Sequence, residues 1–296
     1  MPALRHPVVD GLFYPAAPAA LRAQVADYLA AVGADDSDAG RPPPKLLITP
    51  HAGYEYCGAV AASAYARLSI KCGFATLLDP RGGRAGRSPA LGALRDQRAR
   101  SISRVAVLGP AHRVALDGLA APRSTAFETP LGEVALDVAA LARLDELPQV
   151  VRNDRAHERE HSIEVQLPFL QALLCEFSLV PLVVGEADAE AVAQVLELLW
   201  GGDETLIVIS SDLPHYLPYE QAQAADRATV QRILKLDAGL ATHEACGAAA
   251  INGALLAARR HGLAPCLLDL RNSGDTAGDR DRVVGYGAIA FEEPQR

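Results

Sequence analysis

Residues 206–216 read LIVISSDLPHY, and the first four of them, Leu206 to Ile209, form a short uncharged run rich in β-branched side chains. Such a run suits a strand covered on both faces, and Ser210, Ser211 and Asp212 end it abruptly. The same grammar occurs twice earlier, where KLLIT runs into Pro50 and His51 and RVAVLG runs into Pro110 and His112. Each of three apolar strands thus delivers a histidine shortly beyond its carboxyl end. In an open sheet of parallel strands those ends lie along one edge, where ligand crevices form, so the three segments are expected to converge on one site.

The rest of the chain is read outward from that convergence. Strand and helix signals alternate throughout its 296 residues, half of them hydrophobic, which predicts a single α/β domain with a mostly parallel or mixed sheet flanked by helices. A formal net charge of −8 argues against broad binding to nucleic acid. The first residues lack the apolar core of a signal peptide, and no run approaches the roughly 20 apolar residues of a membrane helix, which predicts a soluble, cytoplasmic chain. Five scattered cysteines make a disulfide framework improbable, and most of them, Cys57, Cys72, Cys175 and Cys266, read as small structural hydrophobes.

Helices are expected at 19–31, after His51, at 135–144, along EHSIEVQLPFLQALL with a kink at Pro168, at 189–199, at 220–236, and from Cys246-Gly247 to His261. Strands are expected at 45–49, 105–108, 118–121, 179–184, 206–209, 267–270 and 283–291. Between residues 69 and 104 the composition changes: 8 Lys and Arg stand against 2 Asp and Glu, and Pro80, Gly82, Gly83 and Pro89 break any period. That stretch reads as a basic, solvated insertion, or else as a docking surface for an acidic partner.

Several residues could carry chemistry. His51 and His112 follow buried strands, and a strand that fixes the backbone of a neutral imidazole makes it a suitable metal ligand; a packed, hydrogen-bonded histidine is the alternative at each position. Asp212 and His215 are spaced so that the carboxylate could orient the ring for acid–base work, although an aspartate after a strand also caps turns. Cys246 precedes a helix whose N-terminal dipole would lower the thiol pKa and favour a thiolate ligand, unless it is simply a buried cysteine. His161 and Glu164 form a further pair three residues apart, either in the cleft or on a helix surface. His6, His157, His243 and His261 read as solvated.

The segments GLFYP, TPHAGYEYCG, LGPAHR, EHSIEVQLPFLQ, ISSDLPHY, ACGAAAI and LRNSGDTAG with VVGYGAIAF occur in order from about Pro7 to Phe291. Together they resemble the MEMO family, whose prokaryotic members are called AmmeMemoRadiSam system protein B. That family is similar in fold to the class III extradiol, LigB-like, dioxygenases. The resemblance implies that His51, His112 and Cys246 are metal ligands and that Asp212 and His215 are neighbouring polar groups. It also implies genomic company with a radical-SAM partner. Because a thiolate stands where the dioxygenases have a carboxylate, iron or copper is the expected metal, with zinc as the other candidate.

The function expected from these residues is metal-dependent oxidation, with His215, Asp212 and His161 as catalytic groups. A binding protein that holds a peptide or small molecule in the sheet-edge cleft, and a zinc hydrolase, are the rival readings.

Overall fold

The computed structural model describes residues 4–33, 42–68 and 102–293. Its strands are β1 (Leu4–Arg5), β2 (Leu46–Thr49), β3 (Arg104–Pro110), β4 (Leu119–Ala121), β5 (Ala126–Thr129), β6 (Gly132–Ala135), β7 (Val150–Arg152), β8 (Ser178–Val184), β9 (Thr205–Ser210), β10 (His215–Leu217), β11 (Ala264–Asn272) and β12 (Val283–Glu292). The α-helices are α1 (Pro18–Ala31), α2 (Tyr54–Tyr65), α3 (Val138–Leu144), α4 (Asp154–Glu158), α5 (Leu167–Leu173), α6 (Ala189–Leu199), α7 (Tyr219–Leu234) and α8 (Ala248–Arg260). The basic stretch singled out in the sequence lies outside the described residues as far as position 101.

Nine strands form one mixed sheet in the order β10-β12-β2-β9-β3-β8-β4-β7, with β11 also paired to β12. At its centre β2, β9, β3 and β8 run parallel, and their residues are almost wholly buried. Apolar runs form the middles of these strands because helices cover both their faces, and the buried polar residues Thr49, Thr205 and Ser210 stand only at strand ends. The strand β12 crosses beside β2 in the antiparallel sense, and β4 lies antiparallel to β8. A small second sheet, β1-β5-β6, sits beside the large one. The helices α1, α2 and α5 pack against one another, as do α6 and α8, while α7 lies on β10, β11 and β12. The expected α/β domain with a large mixed sheet flanked by helices is therefore the architecture found.

Two expectations are corrected by local chemistry. Residues 135–144 are not one helix. Gly132 turns at a φ of 124° to close the β5–β6 hairpin, and Asp137 then starts α3 by accepting a hydrogen bond from the Ala140 amide at 2.9 Å. Pro168 does not kink a helix running through EHSIEVQLPFLQALL, because it stands in the first turn of α5. Proline costs nothing there, since that amide has no partner in any case. Residues 160–163 are thereby released into a turn, followed by a 3₁₀ segment, Glu164–Gln166.

Among the other expectations, His157 is buried, not solvated, and its Nε2 lies 2.9 Å from the Ala120 carbonyl. Cys57 is buried as expected, but Cys266 is exposed and Cys175 is disulfide-bonded, so these two are not the small buried hydrophobes expected.

Candidate metal centre

The central strands stop at one edge of the sheet. Two residues beyond β2 stands His51, two beyond β3 stands His112, and immediately after β9 come Ser211 and Asp212. A fourth element reaches the same edge, the 160–163 turn that carries His161. It packs against the end of β3 at Gly109, where a Cβ would lie 2.4 Å from Ser162 Oγ. Only glycine leaves room for the turn there.

Among the described residues, His51, His112 and His161 form a group whose donor nitrogens all lie within 4.8 Å of one another. The ring of His112 stacks on that of His161 at a centroid distance of 4.9 Å, and His51 meets both edge-on. Access is graded: His51 is buried, the side chain of His161 is 14% exposed and that of His112 is 27% exposed. A ligand therefore reaches the group from the His112 side.

Cys246 comes to this edge on the loop before α8. Its Sγ lies 3.3 Å from His51 Nε2 and accepts the Asp212 amide at 3.2 Å, while its own amide donates to the Asp212 carbonyl at 3.2 Å. Gly247 allows that approach, because a Cβ there would lie 2.8 Å from the Ser211 Cβ. The thiol sits beside His51, outside the group of three imidazoles.

Asp212 and His215 are at the same edge but do not form a hydrogen-bonded pair. Their nearest atoms, Asp212 Oδ2 and His215 Nε2, are 4.0 Å apart. The other oxygen, Asp212 Oδ1, accepts the His51 amide at 2.8 Å, so this carboxylate fixes the backbone of a histidine other than the one expected. Nor does Glu164 accompany His161, because it points away to the buried Arg5.

Electrostatics follows from burial. The protons of His51 and His161 are lost well below the ordinary histidine value, to about 4 for His161, first because burial disfavours the cation and then because the rings repel one another when charged. Burial also lowers His215. The expected lowering of the Cys246 thiol by its helix is overturned: burial, reinforced by the Asp212 charge, pushes it up to about 12. Asp212, buried as well, is raised to about 7. Burial would also raise Glu160, but the His112 ring and backbone amides hold it down to about 2.

Glu160 is the functional residue that sequence reading missed. It is 2% exposed, and its Oε2 accepts the His112 amide at 2.8 Å. Its Oε1 meets His112 Nδ1 at 2.9 Å and accepts the amides of His161 and Ser162, each at 3.0 Å. One carboxylate thus ties the end of β3 to the turn bearing His161. The only sequence signal was its position next to a histidine.

The donor set suits a metal ion. Neutral imidazoles are good ligands for first-row divalent ions, and rings held from behind by a carboxylate or hydroxyl are the usual supporting arrangement. Two buried nitrogens, His161 Nδ1 and His215 Nε2, have no hydrogen-bond partner, which is a cost a purely structural cluster would not carry.

Residues 5–78 and 87–290 match the Memo-like protein family. Among curated relatives, a MEMO1 family protein of Sulfolobus acidocaldarius is 34% identical, covering 97% of this chain and 99% of its own length. One of Methanopyrus kandleri is 32% identical over 97% of this chain and 98% of its own, and one of Aquifex aeolicus 30% identical over 97% and 99%. Matches of this extent, on a fold that gathers the quoted motifs at one sheet edge, show that the chain belongs to the Memo-like family.

Proposed function

We propose that the chain is a metal-dependent oxidoreductase in which iron or copper is held by His51 and His112, with His161 and Cys246 as the further donors at hand, and acts on a small oxygen-bearing molecule in the sheet-edge cleft. The observation that carries this reading is the meeting of three ring nitrogens within 4.8 Å beside a thiol 3.3 Å from His51 Nε2. When bound, such an ion supplies Lewis acidity and one-electron redox chemistry.

The protein's own groups prepare that chemistry. Burial keeps His51 and His161 neutral, so their lone pairs are available as donors at neutral pH. Cys246 keeps its proton until a neighbouring cation favours the thiolate. His215, kept neutral by burial and with Nε2 unpartnered, would accept a proton from a bound hydroxyl.

The test is to prepare the protein without oxygen, measure its metal content and oxygen uptake, and repeat with His51→Ala, His161→Ala and Cys246→Ser. Unchanged metal occupancy in all three variants defeats the reading. A zinc hydrolase is the second reading, favoured by one observation: the closest donors are all imidazoles, as in zinc sites that activate water. Zinc retention with ester or amide hydrolysis, and no oxygen uptake, selects it.

A further inference from the structure

A neutral imidazole can face an ion with its lone pair only if its other nitrogen carries the proton, so the groups behind the rings decide whether the site is ready. Behind His51 stands Ser210. Its hydroxyl has one proton, and the Ser162 carbonyl, 2.5 Å away, can only accept it. The same oxygen receives Gln166 Nε2 at 2.9 Å. That carboxamide is itself oriented, because its nitrogen also donates to the Pro50 carbonyl at 2.9 Å, while its oxygen accepts from the hydroxyls of Thr49 at 2.9 Å and Tyr65 at 2.8 Å. Ser210 Oγ therefore has nothing left to offer His51 Nδ1, 2.9 Å away, except a lone pair. His51 must donate.

Behind His112 stands Glu160. Both of its oxygens are met by backbone amides, from His112 on one side and from His161 and Ser162 on the other. A proton on either oxygen would confront one of these N–H groups, so the carboxylate only accepts, and His112 Nδ1 donates to it at 2.9 Å. On the reading that His51 and His112 face a metal ion, we infer that Ser210 and Glu160 are positioning residues that fix both rings as Nδ1–H tautomers, so that each presents its Nε2 lone pair to the cleft. The contact of 3.3 Å between Cys246 Sγ and His51 Nε2 agrees, with the thiol as donor in the metal-free chain.

The assignment is tested on the full-length, metal-free chain with ¹⁵N-labelled histidine, using two-bond proton–nitrogen correlations at mildly alkaline pH, which distinguish the two tautomers. Both His51 and His112 are expected as Nδ1–H, and either ring found as Nε2–H overturns the inference. Ser210→Ala should release His51 alone and Glu160→Gln should release His112 alone, while Ser210→Thr, which keeps the hydroxyl, restores the wild-type pattern. With zinc as the probe and a competing chelator, Ser210→Ala and Glu160→Gln should weaken binding roughly 10- to 100-fold and Ser210→Thr much less. Zinc affinities unchanged in both weakened variants overturn it. A wild-type chain with both rings as Nδ1–H that nevertheless takes no metal upholds the tautomers and defeats the metal reading instead.

Discussion

Glu160 and Glu164 lie four residues apart in one segment, both are buried, and both gather several donors, yet they serve different ends. Glu164 accepts from Arg5, from the amides of Val8 and Val9 and from the Tyr14 hydroxyl at 2.5 Å, and all of these come from the N-terminal segment. Its charge is matched by the Arg5 guanidinium, and both its oxygens are taken up by these donors. Among the described residues the Glu160 carboxylate meets no guanidinium, although Arg5 Nη2 donates to the Glu160 backbone carbonyl. Its side-chain partners are a histidine ring and three amides, and the unpartnered His161 Nδ1 lies 3.5 Å from its Oε1. A saturated buried charge holds the chain together, whereas one that leaves nearby polar atoms unsatisfied marks a place prepared for something else.

That contrast breaks most visibly at the clamp. Glu164→Ala strands Arg5 in the interior and removes the acceptor of two amides and a hydroxyl, so it should cost about 3–5 kcal/mol in urea unfolding. Whatever protein remains folded should bind metal as the wild type does. A loss below about 1 kcal/mol, or a specific loss of metal from folded protein, would erase the distinction between the two glutamates.

The clamp also contains a pH sensor that the metal site does not need. Arg5 Nε donates to the His157 carbonyl, and the buried His157 ring binds its proton only at about 4. Burial is the chief cause. The unfolded ring takes up its proton near 6.5, ahead of the folded one, so stability is complete above that value and falls as the pH drops toward 4. His157→Gln should flatten this dependence by up to about 3 kcal/mol across the window, as measured by denaturant titrations at a series of pH values. A slope the same as in the wild type would assign the acid sensitivity to the other buried histidines.

The metal side is sharpened by mass action. Zinc at 100 times its dissociation constant should raise the stability of the wild type by about 2.7 kcal/mol, and should leave His51→Ala unchanged. An equal upward shift of the melting temperature in both proteins would place the ion elsewhere.

How far the site was legible follows from the same residues. His51 and His112 stand directly after apolar strands, and parallel strands end along one edge, so their convergence could be read before any coordinates. Glu160 could not. It sits in HERE, residues 157–160, where Glu158 is exposed and Glu160 buried, and nothing in the local pattern tells one from the other. Only β3 and the amides it meets across the fold make the difference. The pairing of His161 with Glu164 failed for a local reason, since Pro168 signals the start of a helix and so leaves both residues upstream of it, on opposite sides of a turn. Cys246 enters the site only through the family resemblance, and the dipole of its helix is outweighed by desolvation, which depends on neighbours far away in sequence.

The smallest expected effect lies where the two regions touch. Phe13 belongs to the segment that the clamp secures, between Val9 and Tyr14, and its carbonyl accepts the Tyr54 amide at 2.7 Å as α2 begins. Its ring meets His161 edge-on at a centroid distance of 5.0 Å. The saturated cluster therefore supports a wall of the unsaturated one, and packing carries the coupling between them. Phe13→Leu keeps the apolar volume but loses the aromatic edge, worth about 0.5–1.5 kcal/mol. If the wall steadies His161, the loss should appear as up to about a tenfold fall in zinc affinity, with the two tautomers behind His51 and His112 unchanged. If only unfolding responds, the glutamates four residues apart act independently, and the N-terminal segment is a clasp that the metal centre does not sense.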